Sequence, residues 1–353
     1  MNRLYRSTQT EAFARGEEFG RAHGARIAAV IEGYRTMWRG HAPGHDAMAD
    51  GERSLAATQG FAPHLAAEMH GMAKGAGLDP RLIGAINART EILGALRAPT
   101  RGECSAVIAL GEGGNMPPVA VQTWDWYHRF RDTWMVWEIP LEDGTTTRTM
   151  TECGIVGKAG MNTRGLGLLF TILHHSADGQ GIGVPVHVVA RATLDLGANI
   201  AHAAQIAASA GVSASTSLNL SAWDGKRAAA ITVEVYPGGP GFVLPDAAGL
   251  LVHTNHFLDP RPAACDTEPK ANPDTLLRRD MLMRQLSGGV RDAAQVVAAM
   301  DSHICGDAGI CCHPLPGDAD DQYATLATVS LDLAQGRMTV HDGGPCTCDL
   351  AAA

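Results

Sequence analysis

The chain has 353 residues, 45% hydrophobic and 18% charged, a globular composition that excludes a disordered protein and allows a large buried core. Its formal charge of −9 leaves no net basic surface for a nucleic-acid partner. No apolar run approaches the roughly 20 residues of a membrane span, and the first residues lack the apolar stretch of a signal peptide, so a cytoplasmic protein with no membrane partner is expected.

Up to about residue 100 the pattern is helical. Residues 11–39 carry Phe13, Phe19, Ile27, Val30, Ile31 and Tyr34 near helical spacing. Residues 64–76 and 80–96 read as two more helices, the second opened by Asp79 as N-cap and Pro80 at the first helical position. No strand is expected in this section, and 42–60 reads as a loop. From residue 104 strands dominate, at 104–110, 119–124, 134–139, 146–151 and 165–170, with Asp143-Gly144 as a hairpin signal. Helices return at 185–194 and 198–210. A second strand group, 215–220, 229–236 and 249–254, contains Asp224-Gly225 as its first turn. Helices at 273–286 and 290–300 precede closing strands at 324–333 and 337–341, joined at Gly336. Blocks of strands between blocks of helices, rather than alternating single elements, predict an α+β fold of two antiparallel sheets with helices outside them.

The eight cysteines are even in number, but without a secretion signal reduced thiols are the expectation. Cys305, Cys311, Cys312, Cys346 and Cys348 crowd the C-terminal part beside His303 and His313. Their spacing matches no CxxC…CxxC pattern, so neither a metal nor another cofactor is expected. A metal-binding or inactive scaffold built on this cluster is the alternative to an enzyme.

Cys104 stands where the helical section gives way to the first strand, in Arg101-Gly102-Glu103-Cys104-Ser105. One reading is a buried cysteine opening a strand. The other is a self-cleaving chain in which the thiol attacks the Glu103 carbonyl and Cys104 becomes a new N-terminus. An α-amine has a reference pKa of about 7.7–8.0, so nucleophile and base would then share one residue. A papain-like pairing of Cys104 with His174, His175 or His253 lacks the local motif of such enzymes.

Further stretches bear on the choice. They are Gln122-Thr123-Trp124-Asp125-Trp126, the run from Glu152 through Gly154-Ile155, Gly157-Lys158 and Gly160 to Asn162, and His253-Thr254-Asn255-His256. With Glu103-Cys104-Ser105, this ordered set resembles the acyl-coenzyme A:6-aminopenicillanic acid acyltransferase family of N-terminal nucleophile hydrolases. The resemblance runs from about Gly102 to the closing strands. It implies a four-layer αββα sandwich made as a precursor, with a helical leader of residues 1–103 and a catalytic domain of residues 104–353. It implies self-cleavage between Glu103 and Cys104, with the two chains staying associated. The implied substrate is a small linear amide, an N-acyl amine or N-acyl amino acid, with an acyl thioester as a further donor.

By the same resemblance Cys104 is the nucleophile, Asp125 orients its amine, and Asn255 donates to the oxyanion. Trp124, Trp126 and His256 are substrate-binding candidates, with packing as the competing role. Glu152 and Lys158 can pair near the site. The family often shows Ser-Ile-Cys-Arg late in the chain, where this one has Gly309-Ile310-Cys311-Cys312-His313. Cys312 thus stands where a guanidinium would clamp a carboxylate, which argues against a β-lactam carboxylate. Cys312 and His313 remain candidates for contacting substrate.

Overall fold

The computed structural model describes residues 3–98, 104–314 and 322–348. In chain order its elements are β1 (Leu4–Arg6), α1 (Ala12–His41), α2 (Ala47–Phe61), α3 (Pro63–Ala76), α4 (Pro80–Asn87), α5 (Arg89–Ala95), β2 (Ser105–Ala109), β3 (Val119–Tyr127), β4 (Trp134–Pro140), β5 (Thr146–Glu152), β6 (Gly160–Asn162) and β7 (Leu166–Leu173). There follow α6 (Val186–Leu196), α7 (Ile200–Ala208), β8 (Ser215–Trp223), β9 (Ala228–Tyr236), β10 (Gly239–Val243), β11 (Leu250–His253), α8 (Pro260–Ala263), α9 (Glu268–Ala271), α10 (Asp274–Leu286), α11 (Ala293–Met300), β12 (Tyr323–Asp332) and β13 (Arg337–Asp342).

The strands form an eight-stranded sheet, β1-β4-β5-β6-β7-β8-β9-β10, and a five-stranded sheet, β11-β2-β3-β12-β13. All pairings are antiparallel except β1 with β4. Alternation along the strands makes the layers. In the smaller sheet Val107, Ala109, Val121, Leu250 and Val252 face α10 and α11, packing on Leu282, Leu286, Val296 and Met300. Their neighbours Ala106, Ile108, Ala120 and Leu251 face the larger sheet and join its core. Helices α6 and α7 pack on strands of the larger sheet. The result is helix, sheet, sheet, helix. Gln122 ties the layers together: its amide donates to the Phe170 carbonyl and accepts from the Phe170 N–H at 2.7 Å.

The leader is not purely helical. Residues 4–6, too short to show periodicity, form β1 because the edge of β4 offers a parallel partner. Residues 47–61, expected as loop, form α2, capped by Asp46, whose carboxylate accepts from Met48 and Ala49. Gly51 permits close contact with α4: a Cβ there would stand 1.8 Å from the Arg81 carbonyl oxygen. The expected helix over 80–96 breaks into α4 and α5 at Ala88.

Helix α1 buries Phe19, Ile27, Val30, Ile31, Tyr34, Met37 and Trp38, each worth about 1.5–3 kcal/mol when fully buried. Part of that face meets residues beyond Cys104. Phe19 lies 4.3 Å from the Trp137 ring and Tyr34 stacks on Phe130 at 4.4 Å. Residues on both sides of Cys104 share one core. Among the described residues no helix is long and apolar enough to cross a membrane.

Candidate active site

Cys104 stands one residue before β2 and is 4% exposed. The register of β2 on β3, Ser105 opposite Thr123, carries one step further to set Trp124 across from Cys104, with Asp125 just beyond. Asp125 is buried and pairs across β3–β12 with Thr325. Burial first, and the Asp125 charge second, push the Cys104 thiol up to about 12. At neutral pH the sulfur is therefore protonated and needs a base before it can attack. Glu103, the other side of the expected scissile bond, lies outside the described residues.

Arg278, on the buried face of α10, connects Cys104 to Asn255. Its Nη1 donates to the Cys104 carbonyl and to Ser105 Oγ, both at 3.1 Å, and its Nη2 donates to Asn255 Oδ1 at 2.9 Å. Its Nε pairs with Asp274 at 3.0 Å. Asn255 follows β11, which pairs with β2, so the ladder brings it to the end of the strand that Cys104 precedes. Its side-chain amide donates to the Ile172 carbonyl at 3.0 Å. An amide carries two N–H groups, so a second is available for an oxyanion.

Below the tryptophans lies a buried charge cluster. The Glu152 carboxylate accepts from Tyr34 Oη and Lys158 Nζ and lies 3.2 Å from Arg89 Nε. Burial alone would raise Glu152, but Arg89 and Lys158 outweigh it and hold the carboxyl below its usual range. Lys158 lies 4.3 Å over the Trp124 ring, Arg89 lies 4.1 Å over Trp126, and the Trp126 Nε1 donates to Tyr34 Oη at 3.0 Å. Both indoles thus serve as faces for buried cations. Trp126 also reaches a cavity of about 300 Å³ whose walls include Arg89, Leu93, Ile172, Asp178 and the exposed Arg97. Helix α5 of the leader forms one side of it.

The remaining candidates sit elsewhere. His256 Nδ1 engages the hydroxyls of Thr254 and Thr275 at 3.1 and 3.0 Å, and burial, then nearby His253, Arg279 and Arg278, push it down to about 3. It is a neutral member of a threonine network. Cys312 is buried and its thiol donates to the Tyr323 carbonyl at 3.4 Å. His313 turns to His303, Cys311 and Cys346. His253, the imidazole nearest along the ladder, is occupied by Glu234 and the Thr254 carbonyl, both at 2.8 Å. Arg278 and Arg89 escaped the sequence reading. The available signal was an arginine in register with Thr275, Leu282 and Leu286 on the buried face of one helix.

A four-layer αββα sandwich with a buried cysteine leading an inner strand is the fold class of the N-terminal nucleophile hydrolases. Within that class the chain belongs to the acyl-coenzyme A:6-aminopenicillanic acid acyl-transferase family, whose model matches residues 112–345. The match begins beyond Cys104. The 40 kDa form of the acyl-coenzyme A:6-aminopenicillanic-acid-acyltransferase of Emericella nidulans is 28% identical over 235 residues, 65% of this chain and 62% of that protein's length. The chain is also similar to an N-acylethanolamine-hydrolyzing acid amidase ortholog of Caenorhabditis elegans, with TM-score 0.47 and 11% identity over 65% of this chain and 93% of that one. A penicillin V acylase from Agrobacterium tumefaciens gives TM-score 0.44 and 15% identity over 68% of this chain and 83% of that one.

Proposed function

We propose that the protein is a self-processing cysteine amidohydrolase with acyltransferase capacity, acting on a linear amide of a small N-acyl amine or N-acyl amino acid. The observation that carries the reading is the buried Cys104 beside Asp125, its carbonyl gripped by the same Arg278 that holds Asn255. In the uncut chain the sulfur attacks the Glu103 carbonyl carbon. The Glu103–Cys104 C–N bond breaks, the nitrogen leaves as the Cys104 α-amine, and water cleaves the thioester to a Glu103 carboxylate and a free thiol. The new amine, with Asp125 orienting it, takes the thiol proton as sulfur attacks a substrate amide. The second N–H of Asn255 donates to the developing oxyanion, and the leaving amine departs with the proton. Water or an acceptor amine then resolves the acyl-enzyme. Cys312 supplies no guanidinium, so a β-lactam carboxylate is not the substrate proposed. Arg97, an exposed residue lining the cavity, is a cation for the carboxylate of an N-acyl amino acid.

Intact mass spectrometry under denaturing conditions tests the first step. The expectation is two fragments of 103 and 250 residues. Cys104→Ala should remain one chain and lose amide hydrolysis by at least about 10³-fold. An uncut Cys104→Ala protein that still turns over amides would overturn the reading.

A further inference from the structure

His303, Cys311, His313 and Cys346 come from three separate places: the loop after α11, the segment leading to β12, and the last turn of the described chain. Folding nevertheless brings one donor atom from each within 4.8 Å of all the others. The two imidazoles lie face to face, ring centroids 5.1 Å apart and planes 15° apart, with their Nε2 atoms 3.1 Å apart. The His313 Nε2 is 3.3 Å from the Cys346 sulfur and 3.5 Å from the Cys311 sulfur.

The three separations from His313 Nε2 are close to the edges of a small tetrahedron, and the other three lie within 4.8 Å. With Zn–N near 2.0–2.1 Å and Zn–S near 2.3 Å, tetrahedral geometry requires about 3.3 Å between nitrogens and about 3.6 Å between nitrogen and sulfur. Two features support the donors. The other ring nitrogen of His303 lies 3.8 Å from the Asp301 carboxylate, on the side where a carboxylate orients a ligating imidazole. Gly344 makes room for the Cys311 thiol, since a Cβ there would stand 2.6 Å from the sulfur.

We propose that these four residues form a closed Cys₂His₂ site for a divalent transition metal, with zinc as the occupant. Two thiolates and two imidazoles arranged as a tetrahedron select zinc over harder cations. Four protein ligands leave no open position, so the site is structural. Its place in the fold says what it holds. Adjacent to Cys311, Cys312 exchanges hydrogen bonds with Thr325, its N–H donating to Oγ1 and its carbonyl accepting from the Thr325 N–H, both at 2.9 Å. Thr325 is the β12 partner of Asp125. A metal there pins the segment flanking Asp125 and ties the end of the chain to the loop after α11.

The test is elemental analysis of the full-length protein purified from zinc-supplemented medium without chelator, repeated on Cys346→Ser, His303→Ala and, as control, Cys265→Ser. Cys346, His303 and Cys265 are exposed, so each variant is expected to fold. The expected result is about one zinc per chain in the parent and control, with zinc lost from the other two. Cobalt(II) added to the stripped parent should give the visible bands of a tetrahedral site with thiolate charge transfer, absent in Cys346→Ser. A metal-free parent with a featureless cobalt spectrum, zinc retained by Cys346→Ser, or a Cys311–Cys346 disulfide in place of metal would each overturn the proposal.

Discussion

Arg278 meets four acceptors with one planar fork: Asp274, the Cys104 carbonyl, Ser105 Oγ and Asn255 Oδ1. A lysine keeps the charge but cannot span them. Arg278→Lys should therefore slow both self-cleavage and amide turnover by about 10²-fold, the cost of a displacement of about 1 Å at a reacting group. A time course of fragment appearance by mass spectrometry checks it, and unchanged kinetics would show that Arg278 does not position Cys104. At this scale the ordered motif singled out Cys104, Asp125 and Asn255 as the expected nucleophile, carboxylate and amide, and the fold brings them to one end of the smaller sheet. Arg278 was not singled out, because a helical pattern alone does not say which of its charged residues turns inward. Other motif residues prove to be scaffold. Gln122 bridges the sheets, and Asn162 closes the turn between β6 and β7 by accepting from the Arg164 and Leu166 N–H groups at 3.0 and 3.2 Å while donating to the Leu194 carbonyl of α6 at 2.7 Å. The Cys/His cluster was visible as a crowding of residue types, but its spacing matched no metal pattern because its members are spread over residues 303–346 with β12 and β13 between them, and only tertiary folding makes them neighbours.

Apart from the 15-residue α2, elements were legible where they were long or bounded by turn chemistry. The hairpins at Asp143-Gly144 and Asp224-Gly225 fall where expected, joining β4 to β5 and β8 to β9. The three-residue strands β1 and β6 and the glycine-containing β10 were missed, being too short or too poor in side chains to carry a period. How elements cap one another was likewise invisible. Helix α6 begins after Pro185, which supplies no side-chain cap, and Glu91 of α5 accepts the Val186 N–H at 2.8 Å instead. Burial raises Glu91 to about 7, against the opposing effect of that N–H. Between about pH 4.5, its unfolded value, and pH 7 the folded state binds the extra proton. The contribution of Glu91 to stability is therefore present below that window and lost as pH rises through it. Glu91→Gln keeps an acceptor for Val186 and removes the titration. Urea unfolding from pH 4.5 to 8 should fall less steeply for the variant than for the parent, and identical slopes would exclude Glu91 as the source.

At the scale of the molecule, the expected cut at 103/104 would divide a single core. The leader contributes β1 to the larger sheet and a wall to the cavity. It also contributes half of a buried ion network. Glu68 of α3 accepts from Arg15 Nε at 2.6 Å and from Arg191 of α6 at 3.0 and 3.1 Å, while Asp195 holds Arg191 at 2.8 Å and His64 at 3.3 Å. Each side carries one arginine and one carboxylate, and Glu68 links them by binding Arg15 on its own side and Arg191 on the other. Withdrawing the leader would leave Arg191 buried with one carboxylate fewer and expose the apolar face of α1. The cleaved fragments should therefore co-elute in native size exclusion and part only in denaturant. Breaking a buried pair by removing one partner typically costs about 3–5 kcal/mol. Glu68→Gln, close in volume but uncharged, should lower the urea concentration at which the fragments separate, without altering where the chain is cut. Fragments that separate in native buffer would show that the shared core does not outlast the cut. A Glu68→Gln complex as resistant to urea as the parent would locate the cohesion in the apolar contacts of α1 and the β1–β4 pairing.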